Sequence, residues 1–361
     1  MEKFPRLLWN ETKLRDNIRF LTQTCASQNW PVSWVPVTKA TCANPDIVRV
    51  LLDEGLTEMA DSRVDNLKTI KTLSPSCKTL LLRLPGWHEI KDVIRYVDTS
   101  LISEQETLSR LQAEAKAAGV IHQVILMVEL GDLREGVLPE HILDFGRFIL
   151  QQDHIDWCGI GTNLTCYGGI LPTPGKMHDL LVLRDNIRAE LGHPLSVVSG
   201  GNSSSLPLLL EGEMPEGINH LRLGEALFLG KETAKGQPVA GMHSDLFTLE
   251  AEVIEVKVKN SVPEGLSGMD AFGKKPEFDD LGLHTRAIVA IGRQDVPIEE
   301  LTPKDPNIRI LGGSSDHLIL DVANDAVRVG DIVSFRLNYA ALLQAMTSPY
   351  VAKVRAPAAQ L

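Results

Sequence analysis

The chain has 361 residues, 43% of them hydrophobic and 23% charged, with a formal net charge of −11. That length suits one large α/β domain and a smaller companion, and an acidic balance without clustered Lys and Arg argues against a nucleic-acid surface. The opening segment MEKFPRLLWNETKLRD has no apolar signal core, no run approaches the roughly 20 apolar residues of a membrane span, and five scattered cysteines without a CxxC pair indicate neither disulfide framework nor zinc knuckle; a cytoplasmic location is expected.

From residue 10 to about 230, short apolar runs alternate with amphipathic stretches, the pattern of repeated βα units around a parallel sheet. A helix is predicted from about Asn10, capped by Asn10 or Thr12, with Leu14, Ile18 and Leu21 inward. Strand 34–39 follows, then a helix from about Asn44 with Pro45 in its first turn. The alternation continues as strand 57–60 with helix 63–72, strand 79–83 with helix 88–96, and strand 99–102 with helix 104–118. Strand 123–129 with helix 139–152, strand 155–162 with helix 176–191, strand 195–199 with a short helix from Ser203, and the run 218–222 complete eight units. Eight such units predict a (β/α)8 barrel, a TIM-type α/β fold whose chemistry belongs at the strand C-termini. After a Gly/Pro/polar linker at 231–241, period-2 runs at 248–259, 285–291, 308–311, 318–322 and 332–337 predict a smaller β-rich C-terminal domain. The expected domains are 8–236 and 237–361, with residues 1–7 free to pair with the second.

Several residues stand where a barrel carries its chemistry. Lys39 closes the first strand, where desolvation disfavours the ammonium and frees the amine for a carbonyl, making it a candidate Schiff-base former; its bland alternative is a solvated edge lysine. Arg134, in GDLREG, suits a carboxylate clamp, or else a surface ion pair with Glu135 or Asp132. Asn163 follows the sixth strand. Ser203, in SGGNSSSL, opens a helix whose amides suit a dianion, or is a plain N-cap. Arg222 lies on an apolar strand and needs a partner there, and Gly224-Glu225 offers a second amide cradle or a simple turn. No His/Cys/Asp/Glu spacing suggests a metal, and no P-loop or complete GxGxxG occurs.

Together VTKA, GDLREG, SGGNSSSL and LRLGEALFLG resemble the alanine-racemase-like, fold-type III pyridoxal-phosphate enzymes, and IGRQDV, LGGSSDHLILDV and MTSPYV resemble the ornithine racemase branch, over nearly the whole chain. The resemblance implies that pyridoxal 5′-phosphate is held covalently by Lys39, which is also one of two acid/base groups. It implies phosphate binding by Ser203 and the backbone at Gly224-Glu225, and Arg222 facing the pyridine nitrogen, where a permanent cation keeps that nitrogen unprotonated and favours racemisation over transamination. Arg134 would organise cofactor and substrate carboxylate, with a second carboxylate contact at Ser315-Asp316 from the partner subunit of a homodimer with shared sites.

The sequence departs from alanine racemase at informative places. Ala43 stands where a phosphate-binding tyrosine is found, Arg293 where the second tyrosine base is found, Asn163 where a histidine stacks near the cofactor, and Met127 where a lysine precedes the clamp. Arginine is too basic for a general base at neutral pH, so the second base is sought among Asp295, Asp316, His317 and Tyr350. His317 is the acid/base candidate and the aspartates are candidate binders of a distal ammonium; a turn or interface hydrogen bond is the alternative for Asp316-His317. The expected activity is racemisation of a free basic amino acid, ornithine first and lysine second. A decarboxylase of the same fold would need a cysteine in the second domain, and none follows Cys166. A metal-dependent aldolase or dehydratase would need ligands that Asp316-His317 alone does not supply, and a non-catalytic cofactor carrier would lack the second domain.

Overall fold

The computed structural model describes residues 2–273, 275, 277–280, 282–322 and 327–357. The chain divides into two compact units, Lys13–Ser244 and the pair Met1–Thr12 with Asp245–Leu361. The division falls later than the expected 236/237 because the linker folds back on the first unit. Lys231 bridges Pro238, and the buried carboxylate of Glu232 accepts from the backbone N–H groups of Ala234 (2.7 Å), Lys235 (3.0 Å) and Gln237 (2.7 Å).

In chain order, β1 is Arg6–Trp9 and α1 is Glu11–Ala26. The barrel strands are β2 (Ser33–Pro36), β3 (Glu58–Asp61), β4 (Lys78–Leu81), β5 (Thr99–Ile102), β6 (His122–Val128), β7 (Ile155–Thr162), β8 (Val197–Ser199) and β9 (His220–Leu223). They form one parallel sheet in the order β2-β9-β8-β7-β6-β5-β4-β3, closed by the Val37–Ala60 bridge. Between them run α2 (Pro45–Asp53), α3 (Val64–Leu73), α4 (Ile90–Tyr96), α5 (Gln105–Ala118), α6 (Ile142–Ile149), α7 (Pro174–Leu191), α8 (Leu206–Leu210) and α9 (Glu225–Leu229). The (β/α)8 architecture expected from the alternation is therefore present. Val35, Val37, Ala60, Leu80, Leu101, Ile125 and Met127 fill its interior, so the tube is a packed core and its chemistry is confined to the rim. Asn44 caps α2 by accepting from the Asp46 amide at 3.0 Å. The fully buried Asn17 of α1 satisfies all its polar atoms, donating to Leu227 O and His243 O (3.0 Å each) and accepting from the His243 amide (2.7 Å).

The second unit is antiparallel apart from one pair. It contains β10 (Phe247–Asn260), β11 (Leu283–Val289), β12 (Leu301–Pro303), β13 (Ile308–Gly313), β14 (Leu318–Val322), β15 (Ile332–Leu337), α10 (Tyr339–Thr347) and β16 (Ala352–Arg355). A register shift between Val253 and Glu255 divides β10: its first half pairs β1 and β15, its second half β11. β1 lies between β10 and β16, antiparallel to the former and parallel to the latter.

Candidate active site

The residues singled out in the first unit lie at or just beyond the C-terminal ends of the barrel strands. Lys39 is not the last residue of a strand: β2 runs to Pro36, Val37 still donates to Leu223 O at 2.9 Å and bridges Ala60, and Lys39 sits half-buried in the 3-10 turn that follows, Thr38–Thr41. That turn is held firmly. The buried Thr38 hydroxyl donates to Asp61 Oδ2 at 2.7 Å, and Thr41 Oγ1 donates to Thr38 O at 3.0 Å. Cys42 and Ala43 then take left-handed backbone conformations, φ 50° and 45°, an arrangement that non-glycine residues keep only where their surroundings impose it. Asp61, at the end of β3, also accepts from the Arg63 amide (2.9 Å) and Asn66 Nδ2 (3.0 Å). Burial raises its pKa, while the hydrogen bonds from Thr38, Asn66 and the backbone favour its charged form.

Arg222, on β9 beside β2, is 3% exposed. Its guanidinium donates to the Ser199 hydroxyl and to Thr162 O (2.9 Å), which fixes its plane against the ends of β7 and β8. Burial pushes its pKa down to about 10, so the group stays cationic at neutral pH. Ser199 Oγ lies 2.8 Å from His220 Nδ1, and burial, with Arg222 nearby, pushes His220 down to about 3. His220 is thus a neutral ring at the N-terminal end of β9.

Ser203 begins a 3-10 turn after β8 that Asn202 caps, its Oδ1 accepting from the Ser204 amide at 2.8 Å. The Ser203 hydroxyl accepts from the Ala226 amide at 3.1 Å, joining this turn to α9, whose N-cap is Gly224. Ser204 Oγ is buried and, among the described residues, has no hydrogen-bond partner. Glu225 is half-buried and burial raises its pKa against the fields of Lys231 and Lys39.

Arg134 is exposed and forms the bidentate pair with Glu135 that was its alternative reading. The Asn163 amide reaches it as well: with the carboxamide oxygen turned towards Arg134, it accepts from Nη1 at 3.1 Å. Asp132 takes no part in that pair. Its buried carboxylate accepts from the amides of Cys166 (3.2 Å), Tyr167 (3.0 Å) and Gly168 (3.1 Å), stapling the loop after β7 to the loop after β6. Gly136 has φ +140°, and a Cβ there would lie 2.4 Å from the Glu129 nitrogen. Only glycine lets Val137 return to bridge Val128 and so close the arginine loop.

The candidates of the second unit converge within it. The Arg293 amide donates to Ser314 O and the Gln294 amide to Ser315 O, both at 3.0 Å. Ser348 Oγ donates to Asp295 Oδ1 at 2.6 Å and accepts from the Tyr350 amide at 3.2 Å. IGRQDV, SSDH and MTSPYV are thereby brought to one place. Asp295 is buried and engaged by Ser348, Arg293 pairs with Glu299 (2.9 Å) and lies 5.1 Å from the Phe272 ring centroid, and Tyr350 is exposed. Asp316 and His317 are not on a strand but in the turn between β13 and β14, with His317 Nδ1 2.8 Å from Asp316 Oδ1. Asp316 also accepts from the Ser314 and Ser315 hydroxyls, and the His317 hydrogen bond is the main cause of its lowered pKa.

Sequence reasoning did not find Asp61, Ser199 or His220, and reached Asp132 only as a possible ion-pair partner of Arg134. Asp61 carried a faint signal, an aspartate two residues before a helical run; the other three acquire partners only through the fold.

Residues 10–232 match the family of the alanine racemase N-terminal domain, and the chain belongs to that family. It is 44% identical to the ornithine racemase of Acetoanaerobium sticklandii, over 97% of this chain and 99% of that one. It is 38% identical to the lysine racemase of Thermotoga maritima, over 98% and 99%. Among solved structures, an alanine racemase from Streptomyces lavendulae superposes with a TM-score of 0.75 at 16% identity, over 99% of this chain and 98% of the other. The likeness to that structure is one of fold, barrel and β-rich unit together.

Proposed function

We propose that this protein is a pyridoxal-phosphate-dependent racemase of a free basic amino acid, ornithine or lysine. The observation that carries the reading is the buried, cationic Arg222, fixed in plane on the strand beside the Lys39 turn, in a chain 44% identical to ornithine racemase over nearly its full length. The residues present fit the cofactor. Ser204 Oγ is a buried hydroxyl with no partner among the described residues, beside Ser203 and the amides at Gly224 and Glu225, a donor set suited to a phosphate.

When bound, the cofactor supplies an electron-withdrawing ring that acidifies the substrate Cα–H. Lys39 Nζ anchors it and moves a proton at one face of Cα. Ser203, Ser204 and the backbone at Gly224-Glu225 hold the phosphate. Arg222, a cation on the strand beside the Lys39 turn, would deny the ring nitrogen a proton, limiting the electron withdrawal the cofactor would supply and favouring return of the proton to Cα. Arg134, steadied by Glu135 and Asn163, holds the substrate carboxylate. His317, oriented by Asp316, moves the proton at the opposite face, with Arg293, Ser315 and Tyr350 around the substrate; Asp295, engaged by Ser348, holds that cluster in shape. In this reading these C-terminal groups come from a second copy of the chain in a homodimer. Five free cysteines agree with a cytoplasmic location.

The test is chiral chromatography after incubation with pyridoxal phosphate and, separately, L-ornithine, L-lysine and L-alanine. The D-enantiomer of a basic amino acid is expected, with Lys39→Ala losing both that activity and the borohydride-sensitive visible absorbance. Turnover of neither basic amino acid, or an active Lys39→Ala protein, would overturn the reading.

A further inference from the structure

Arg222 is a buried cation whose closest hydrogen-bond acceptors among the described residues, the Ser199 hydroxyl and the Thr162 carbonyl, are uncharged. A neutral acceptor holds a guanidinium best when its own proton is given to another acceptor, because donation polarises the hydroxyl and strengthens its lone pairs. Ser199 is fully buried. Its oxygen faces Arg222, so its proton must go elsewhere, and the group in reach is His220 Nδ1 at 2.8 Å. Ser199 and His220 are register partners on adjacent strands, so the backbone ladder itself sets this contact. Arg222 has no acceptor lone pair, and His220 Nδ1 is the one acceptor in reach of the Ser199 proton among the described residues, so the arrangement that satisfies the buried hydroxyl has Arg222 donating to Ser199 and Ser199 donating to His220. His220 must then be unprotonated at Nδ1 and carry its proton at Nε2. Burial pushes its pKa to about 3, which agrees with a neutral ring at working pH.

We propose that His220 is a positioning residue for Arg222, acting through Ser199: its neutral Nε2–H ring orients the serine hydroxyl and thereby fixes the guanidinium that faces the cofactor's ring nitrogen. The role of Arg222 in this statement rests on the racemase reading; the hydrogen-bond chain does not. Unlike a residue that merely fills the barrel wall, His220 is required for one acceptor atom, so a side chain that supplies an acceptor at the Nδ1 position serves in its place and an apolar one of similar size does not.

Two measurements separate the proposal from the reading beneath it. In the full-length protein without cofactor, labelled with 15N-histidine and assigned by comparison with His220→Asn, the ring of His220 is expected at neutral pH as the Nε2–H tautomer with a bare Nδ1. A ring protonated at Nδ1, alone or together with Nε2, would overturn the proposal whatever the protein catalyses. In the cofactor-loaded protein, His220→Leu is expected to lower kcat up to about tenfold, the upper range for one hydrogen bond between neutral groups, with KM within about twofold. The fraction of turnovers lost to transamination should rise, and His220→Asn should restore both quantities towards wild type. Equal losses in the two variants, or an unchanged partition in His220→Leu, would reduce His220 to a packing residue. If wild type fails to racemise any basic amino acid while the ring shows the expected tautomer, the racemase reading falls and the hydrogen-bond chain stands.

Discussion

A buried charge held by uncharged hydrogen-bond acceptors governs behaviour at the level of single side chains. Replacing Arg222 by glutamate exchanges a group that repels a proton from its neighbour for one that attracts it. A ring nitrogen facing the introduced carboxylate would be protonated, and electron withdrawal would become persistent. The Arg222→Glu protein is expected to develop long-wavelength absorbance with substrate and to lose a larger fraction of turnovers to transamination; unchanged spectra and partition would remove Arg222 from its role. Two buried rings bear on stability. His122, 2.9 Å from Ser100 Oγ, is pushed down to about 4 by burial, as His220 is to about 3. Both folded-state values lie below the ordinary value near 6.5, so the unfolded chain takes up protons first as the solution is acidified. The stability these rings contribute is complete above about pH 6.5 and is lost as pH falls from there through about 4. Denaturant titrations should show a loss of about 2 kcal/mol per ring between pH 7 and pH 5, and His122→Asn should flatten that dependence.

Turns rather than strands hold the candidate site in shape. The Thr38–Thr41 turn depends on Asp61, whose carboxylate gathers Thr38, Arg63 and Asn66. Asp61→Ala leaves several donors unsatisfied and is expected to cost about 2–4 kcal/mol in urea unfolding, with Asp61→Asn losing less. Gly136→Ala should separate stability from catalysis at the arginine loop. A Cβ at 2.4 Å from the Glu129 nitrogen forces the loop to move, so substrate KM should rise well before the folded fraction falls at room temperature. The barrel strands were legible because each is an apolar run bounded by turn residues, and the helices because their apolar positions recur on one face. Where Lys39 sits differs from the expected strand end because pairing stops at Val37 and the chain tightens at once into the Thr38–Thr41 turn. β1, β12 and β16 are three or four residues long, too short for a period to register, and α10, apolar on most sides, gives no helical stripe. The partners of Asp132, Ser199 and His220 were illegible for a different reason: they lie 21 to 36 residues away in sequence, and nothing local marks them. Lys39, Arg134, Ser203 and Arg222 were singled out through the company they keep in a family.

For the molecule as a whole, the proposal that C-terminal groups serve the barrel of a second copy makes activity a property of an assembly. Light scattering should find a dimer, and specific activity should fall on dilution in step with dissociation. A fully active monomer would contradict the shared site.

The position of β1 carries a consequence for biogenesis. That strand precedes the barrel in the chain, yet its two neighbours are β10, which begins at Phe247, and β16, which begins at Ala352, both after it. The whole eight-stranded barrel is synthesised while β1 has no edge to join, and the sheet around it closes only after β16 emerges. The barrel is a single uninterrupted stretch, whereas its companion is assembled from both sides of that stretch. A nascent chain arrested after about Ser244 therefore presents a barrel able to acquire protease resistance and a dangling leading segment that remains cleavable. Release of the complete chain would protect that segment in one late step, visible as a delayed loss of cleavage near Arg6.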